Sequence, residues 1–303
     1  MAGKQVTELD ALPSFTDNSL LPVHNGAGLK KGLLSQLVNY LGNKFSNPNL
    51  LINPNFIINQ RAKSTYSSTG AGGTVDRWVG TNVKTVVNSD NTVTVSSLSG
   101  TGYYTQHEEN ISYGKHTYSI YVQAITGTVK AFYRSKDSKD IELGTLKQGL
   151  NTFTSVDDGF KSFFLSIAGG SSVTLKYAKV EQGAVATSFI APNYAEEILK
   201  CQRFYVVLES SLAGYGANNA IYIPFARGVY MRNSRNVIFT GANKQTFLRV
   251  NGTGKQISFN TTNGYANNQY VRVYTNPVDT SLNNTAIGID LNDVTISVDA
   301  EIY

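Results

Sequence analysis

Tyrosines that alternate with an arginine are the side chains of this 303-residue sequence best suited to bind a ligand. In the run from Tyr270 to Tyr274, the two-residue period of a strand places Tyr270, Arg272 and Tyr274 on one face and the valines on the other. Tyrosine rings stack on the apolar C–H faces of sugars, and a guanidinium pairs with an acidic group. The pattern predicts a glycan-binding face. A trimer interface, where tyrosine and arginine are also enriched, is the alternative, and the residue types favour it slightly.

Three further tyrosines lie close to turns rich in glycine or asparagine. Tyr103 and Tyr104 directly follow a glycine-rich break, and Tyr265 lies in the polar run 262–268. Segments of this composition are typical of exposed loops with adaptable contacts. We therefore add these three tyrosines to the candidate glycan-binding residues.

The side chains that could support catalysis are scattered along the chain. His24, His107 and His116 lie in separate segments, and the sequence has no Gly-x-Ser-x-Gly elbow of a serine hydrolase. The single cysteine, Cys201, excludes an intrachain disulfide and lies in an apolar helical stretch, which favours a buried role. We expect no enzyme activity.

Two pairs of adjacent acids, Glu108-Glu109 and Asp157-Asp158, could suggest a glycosidase. Neighbouring residues of a strand point to opposite faces, however, and both pairs lie beside turn residues, so solvated acids are favoured. No metal or other cofactor is predicted from these residues. A calcium site made of acidic side chains and backbone oxygens between the terminal strands stays open as an alternative.

The composition favours a mostly β protein with uncharged polar surfaces. Hydrophobic residues make up 41% of the chain and charged residues only 16%, with 27 glycines and 18 tyrosines. The net charge of +5 is spread without a dense basic cluster, so nucleic-acid binding is not expected. The N-terminus lacks the apolar core of a signal peptide, and no apolar run is long enough to insert into a membrane, so we expect synthesis in a cytoplasm.

The pattern of apolar residues divides the chain into four parts. Residues 1–48 form a docking segment with a short helix from Lys31 to Phe45, whose stripe for oligomer or docking contacts comprises Leu34, Leu37, Leu41 and Phe45. Residues 49–192 read as a β-sandwich of jelly-roll type. A linker helix at 193–208, capped by Asn193, carries Ile198 and Tyr205 on a contact face. Residues 209–303 form a C-terminal β-sandwich domain.

Two segments bracket the central sandwich. The opening segment, Asn49 to Arg61, is an apolar strand run interrupted by asparagine and proline, and the closing segment, Lys179 to Phe189, is a strand followed by an exit loop. Between them, alternating runs recur and are separated by Gly, Asn and Ser. This arrangement predicts a sandwich whose two ends return close to each other.

The sequence resembles tail proteins of tailed bacteriophages, a family of fibre, collar and receptor-binding subunits. The resemblance covers residues 49–205 and is carried by Asn49 to Arg61, Val75-Asp76-Arg77-Trp78, Tyr118 to Ala124, Glu181-Gln182-Gly183 with Thr187-Ser188-Phe189, and Tyr194 to Tyr205. A second similarity, to segments that attach appendages to the particle, is carried by Val6 to Leu9 and Asp17 to Leu21.

The resemblance implies a jelly roll like that of carbohydrate-binding modules, a homotrimer, and a C-terminal tip that meets the host. It also implies a location in the virion tail, with residues 1–45 bound to other tail proteins and the β-domains bound to a bacterial surface polysaccharide or receptor. A purely structural tail or collar adaptor without glycan binding is the first alternative. A glycan-degrading tailspike is disfavoured, because residues 49–205 lack the repeated coils of a β-helix.

Overall fold

The computed structural model shows a mostly β protein, which confirms the predicted fold class, and the strands pair antiparallel throughout the described residues. The residues that the structure describes are 20–24, 29–33, 37, 47–156, 158–208, 211–217, 220–224, 231–232, 236–241, 245–250, 253–267, 270–276, 285–291 and 295–302. In this part of the chain, no helix is both long and apolar enough to cross a membrane.

The N-terminal segment contains a β-hairpin where the sequence indicated a loop and the start of a helix. Strand β1 (Leu20–His24) pairs with β2 (Leu29–Leu33), with Pro22 opposite Lys31. The prediction of a helix from Lys31 is therefore wrong at its first turn, because residues 31–33 complete this hairpin. Leu37 is helical and exposed, whereas Leu34, Leu41 and Phe45 lie outside the described residues.

The central domain is a β-sandwich of two six-stranded sheets. The first sheet has the order β11-β10-β13-β8-β5-β4, with β4 at Gly72–Gly73, β5 at Val79–Thr81, β8 at Gly102–Ser112, β10 at Val129–Arg134, β11 at Asp140–Thr145 and β13 at Phe160–Ile167. The second has the order β12-β9-β14-β7-β6-β3, with β3 at Thr65–Ser68, β6 at Val83–Val87, β7 at Val93–Ser97, β9 at His116–Thr126, β12 at Gly149–Thr154 and β14 at Ser172–Gln182.

Aromatic rings fill the space between the two sheets. Trp78 is fully buried, stacks on Tyr104 at 5.0 Å between ring centroids and contacts Phe56 at 5.2 Å. Tyr118 of the second sheet lies 6.2 Å from Phe163 of the first. Burial of such large rings is a main source of sandwich stability.

The opening segment is a buried loop, and the prediction of a strand there is wrong. Asn53 and Phe56 have φ angles of 54° and 62°, which no strand accommodates. The Asn53 side chain donates to the carbonyls of Ile58 and Asp76 and accepts from the Ile58 amide, so it replaces a strand partner. The loop still meets the closing segment as predicted, because the Leu50 amide donates to the Val180 carbonyl at 2.8 Å.

The helix after the sandwich is shorter than predicted. Helix α1 spans Tyr194–Gln202, and the Asn193 side chain accepts hydrogen bonds from the amides of Ala195 and Glu196, as expected of an N-cap. The predicted continuation to residue 208 is wrong, because β15 (Tyr205–Val207) pairs with β23 (Thr295–Asp299) near the chain end. Cys201 is fully buried, as predicted, and burial raises its thiol pKa.

Within the confirmed β class, the C-terminal domain consists of a closed barrel and a small sheet. The barrel has the order β16-β17-β21-β20-β19-β22, and the sheet has the order β15-β23-β18. The remaining strands are β16 at Ser211–Ala217, β17 at Ala220–Pro224, β18 at Asn236–Thr240, β19 at Gln245–Val250, β20 at Thr253–Ala266, β21 at Tyr270–Asn276 and β22 at Thr285–Asp290. Its core includes the buried side chains Ile221, Ile223, Val271, Val273, Ile287 and Ile289.

Buried ion pairs and hydrogen bonds join the two β-domains. Arg77, at a sandwich turn, donates from Nη1 to Glu301 at 2.7 Å, and its backbone amide donates to the same carboxylate at 2.8 Å. Both side chains are only 1% exposed. The Arg77 guanidinium also lies 3.5 Å from the Phe204 ring centroid. The sandwich, the segment after α1 and the chain end therefore share one polar junction.

Candidate functional site

A row of aromatic side chains and one arginine crosses the outside of the barrel. In the strand register, Tyr215 is opposite Tyr222, Tyr222 is opposite Arg272, and Arg272 is opposite Tyr265, so one line crosses four strands. Tyr270 and Tyr274 flank Arg272 on β21. We call this surface the tyrosine–arginine patch; its members are Tyr215, Tyr222, Tyr265, Tyr270, Arg272 and Tyr274.

The alternation of β21 sets the direction of these side chains. Val271 and Val273 are fully buried in the barrel, while Tyr270, Arg272 and Tyr274 are only partly buried. The prediction that Tyr270, Arg272 and Tyr274 face away from the valines is therefore confirmed. Tyr215, Tyr222 and Arg272 each have a paired strand on both sides, and Tyr265 is paired with Arg272 of β21.

Arg272 lies at the centre of the patch and remains charged. Its Cζ atom lies 5.0 Å from the Tyr274 ring centroid and 5.8 Å from that of Tyr265. A hydrogen bond to Tyr222 raises the pKa of Arg272 above its ordinary value. Tyr222 in turn lies 5.0 Å from Tyr270 in an edge-to-face arrangement. These contacts hold the rings and the guanidinium in place before a ligand binds. Binding therefore costs little side-chain entropy.

The outermost tyrosines supply the accessible part of the patch. Tyr265 is 52% exposed and Tyr215 is 47% exposed. Four members of the patch are predicted from the sequence: Tyr265, Tyr270, Arg272 and Tyr274. Tyr215 and Tyr222 are not among the predicted residues. The alternation Ile221-Tyr222-Ile223 carried the missing signal, since it places Tyr222 outward between two core positions.

The structure separates the two tyrosines predicted to lie in one exposed loop. Tyr103 and Tyr104 belong to strand β8, where adjacent residues face opposite sides. Tyr103 is exposed and packs edge-on against Phe164, with 6.2 Å between centroids. Tyr104 is fully buried against Trp78. The prediction that Tyr104 binds a glycan is therefore wrong, because its ring forms part of the sandwich core.

The outer face of the second sandwich sheet carries another aromatic strip. Leu150 is opposite Tyr121, and Tyr121 is opposite Tyr177, so the three form a row across β12, β9 and β14. Phe189 of the exit loop stacks on Tyr177, with 4.1 Å between centroids and planes 4° apart. Leu150 is 58% exposed. The strip is more apolar than the tyrosine–arginine patch and suits contact with another protein surface.

The two contact residues predicted on the linker helix have different positions. Ile198 is half-buried on α1. Tyr205 is 7% exposed, lies on strand β15 and holds the Arg61 guanidinium over its ring at 3.7 Å. Tyr205 therefore faces the sandwich of its own chain, and the predicted oligomer contact at this residue is wrong on those grounds.

The histidines and acids of the sandwich do not converge on a catalytic geometry in the described residues. Burial raises the pKa of Glu108 to about 7 and lowers that of His107 to about 4. Glu109 instead pairs with Arg203 at 2.6 Å, and Asp158 accepts from the Tyr133 hydroxyl at 2.9 Å. Among the described side chains, no group of three or more His, Cys, Asp or Glu residues could hold a metal ion.

Comparisons with known proteins give only distant structural similarities. No family model matches the sequence. No curated protein matches it either. A mutant of the carbohydrate-binding module CBM29-2 aligns over 43% of this chain and 100% of its own, with 14% identity and a TM-score of 0.30.

Two further solved structures are similar at the same level. The tandem CBM22-1–CBM22-2 of Paenibacillus barcinonensis Xyn10C aligns over 84% of this chain and 98% of its own, with 8% identity and a TM-score of 0.28. Accessory secretory proteins 1, 2 and 3 of Streptococcus pneumoniae align over 40% and 97%, with 13% identity and a TM-score of 0.24. At these TM-scores the similarities carry no weight for function.

Proposed function

We propose that this protein is a non-enzymatic subunit of a bacteriophage tail appendage that binds host-surface glycan through the tyrosine–arginine patch. The observation that carries the proposal is the row from Tyr215 to Tyr265, in which Arg272 contacts the exposed ring of Tyr265 and the half-buried ring of Tyr274. Rings offer stacking surface to sugar C–H faces, and the cation selects sugars with an acidic or strongly polar substituent.

The assignment to a tail appendage is supported by the sequence resemblance over residues 49–205. In this proposal residues 1–45 attach the subunit to other virion proteins, and the chain assembles as a homotrimer. A single shallow patch binds a sugar weakly. Several copies on one particle raise the overall affinity through effective concentration.

A structural adaptor is the second candidate function, and the apolar sandwich strip favours it. Leu150, Tyr121, Tyr177 and Phe189 offer mainly ring and aliphatic surface, with the Lys176 ammonium 5.6 Å from the Tyr121 ring centroid, and such a surface fits a protein partner better than a sugar. In that case the tyrosine–arginine patch also lies between subunits. The two candidates differ in what happens when patch tyrosines are removed.

The test uses the full-length protein and the double variant Tyr265→Ala/Tyr274→Ala. Binding to purified surface polysaccharide of the propagating host is measured together with the mass of the assembly. Loss of one stacked ring costs about 1 kcal/mol, so the double variant should bind at least about tenfold more weakly at unchanged mass. Tyr113→Ala is the matched control, because Tyr113 is 66% exposed in the connection between β8 and β9 of the sandwich.

Two results would reject the glycan proposal. If the double variant loses its oligomeric state, the patch is a subunit interface and the adaptor function is supported. If neither the wild type nor Tyr113→Ala binds host polysaccharide while both still bind tail protein, receptor binding is excluded. Release of sugar from purified capsule by the wild type would contradict the non-enzymatic assignment.

A further inference from the structure

A cleft between the sandwich and the C-terminal sheet has the size of a ligand site. Its volume is about 530 Å³, within the range of roughly 300–1,000 Å³ that is typical of ligand pockets. One wall consists of residues 60–63, Tyr66 and Gly73 of the sandwich. The opposite wall consists of residues from β15, β18 and β23. Residues from both domains thus build this cleft, which is separate from the tyrosine–arginine patch.

One face of the small sheet lines the cleft with hydroxyl groups next to aliphatic carbons. On β23 the two-residue period places Thr295, Ser297 and Asp299 on the cleft side, while Ile296 and Val298 are fully buried in the domain core. The register puts Thr240 opposite Thr295 and Ile238 opposite Ser297. A surface that alternates hydroxyls with aliphatic groups matches a sugar chain, which has hydroxyls on its edges and C–H groups on its faces.

The charged groups on the floor of the cleft are paired and hydrogen-bonded. Arg61 is 10% exposed, stacks over the Tyr205 ring at 3.7 Å and pairs with Asp299 at 3.2 Å. Their charges compensate each other. Asp76 lies behind this floor, where both its oxygens accept hydrogen bonds from Gln60 at 2.7 Å, and burial raises its pKa to about 6.

Lys63 adds a further cation at the rim of the cleft. Its side chain is exposed and makes no ion pair with any residue that the structure describes. Arg61 is paired with Asp299 and also interacts with Asp76, so Lys63 is the exposed cation with which a ligand carboxylate can pair. An ammonium beside hydroxyl groups favours a saccharide that carries a carboxylate over a neutral saccharide.

We propose that this interdomain cleft is a second binding site, for a short acidic oligosaccharide whose carboxylate pairs with Lys63 and whose hydroxyls bond to Thr295, Ser297 and Thr240. The site is independent of the proposed function of the barrel. A ligand held there contacts both domains at once and stabilises their arrangement by mass action.

The test is calorimetric titration of the full-length protein with tri-galacturonate and with its methyl ester, which has the same shape but lacks the charge. We expect tri-galacturonate to bind at least about fivefold more tightly than the ester, and Lys63→Gln to remove at least about fivefold of that affinity. Lys139→Gln is the matched control, since Lys139 is exposed in the turn between β10 and β11. Thermal unfolding checks that each variant is folded.

The barrel double variant Tyr265→Ala/Tyr274→Ala separates the two sites. It should retain cleft binding of tri-galacturonate in full even where it has lost binding to host polysaccharide. The proposal is overturned if tri-galacturonate does not bind, if acid and ester bind equally, or if Lys139→Gln weakens binding as much as Lys63→Gln. Loss of tri-galacturonate binding in the barrel variant alone would assign the ligand to the patch instead.

Discussion

Glu108 and His107 are neighbours on strand β8, and burial disfavours the charged form of each. The pKa of Glu108 rises from 4.5 to about 7, and that of His107 falls from 6.5 to about 4. Arg134 and Arg77 lower the His107 pKa further. The folded state therefore holds the Glu108 proton more tightly than the unfolded state does. The stability that the protonated Glu108 contributes is complete below pH 4.5 and is lost as the pH rises to about 7. His107 acts in the opposite sense, losing stability as the pH falls from 6.5 toward 4.

Replacement of Glu108 by glutamine should isolate its part of this balance. The free energy of unfolding of Glu108→Gln minus that of the wild type is expected to increase by up to about 3 kcal/mol between pH 4.5 and about pH 7. Urea unfolding at a series of pH values, followed by the fluorescence of the buried Trp78, measures this difference. Glu196→Gln controls for the loss of one formal charge, because Glu196 is exposed in the first turn of α1. A pH-independent difference would contradict the assigned burial effect.

At the scale of elements, a buried ion pair fastens the exit loop to strand β14. Lys179 and Glu181 are 1% and 0% exposed and lie 3.2 Å apart. Thr187 completes the cluster, because its hydroxyl accepts from Lys179 at 2.6 Å and donates to Glu181, while its amide donates to Glu181 at 2.9 Å. The tail-protein resemblance is carried in part by Glu181, Thr187 and Phe189, and these residues thus have a structural role in closing the sandwich.

Removal of the Thr187 hydroxyl should release this loop. Thr187→Val keeps the shape but leaves the buried charges with fewer partners, so we expect a loss of about 2–4 kcal/mol in stability. Limited proteolysis should cut the chain between residues 183 and 190 faster than in the wild type. Thr152→Val on the outer face of β12 is the control and should cost under about 1 kcal/mol. Equal effects of the two variants would refute the fastening role.

The predictable elements are those whose side chains alternate in a simple apolar pattern. Strands β9, β14 and β21 follow this rule, and so does the outward direction of Tyr270, Arg272 and Tyr274. Strand β8 does not show this pattern, because its second half is polar and charged. Gln106, for example, is buried by hydrogen bonds to the backbone of Ile52 rather than by apolar packing. Contacts of this kind join distant parts of the chain, so local patterns do not contain them.

The candidate sites are likewise only partly predictable from the sequence. Alternation along one strand predicts a face, but the register between strands decides which faces join. The register brings Tyr222 beside Arg272 and Tyr215 beside Tyr222. The interdomain cleft cannot be predicted from the sequence either, because the local pattern predicts a helix at Tyr205. Pairing of β15 with β23, about ninety residues away, overrides that local helical pattern.

At the scale of the whole molecule, the junction should make the two β-domains unfold together. Arg77 and Glu301 are both buried, so loss of one partner leaves a charge without compensation, at a cost of about 3–5 kcal/mol. We expect one calorimetric transition for the wild type. In Glu301→Gln the midpoint should fall and the transition should separate into two, since the chain end no longer ties the barrel domain to the sandwich.

A matched variant tests whether burial is the cause. Glu142→Gln breaks the Lys130–Glu142 pair, whose atoms are 3.0 Å apart but whose side chains are 41% and 43% exposed. This substitution should cost under about 1 kcal/mol and leave a single transition, because water compensates an exposed charge. Two separate transitions in the wild type would show that the junction does not couple the domains. If Glu301→Gln lowers the free energy of unfolding no more than Glu142→Gln does, other groups compensate the charge of Arg77. The polar junction would then orient the two domains without stabilising them.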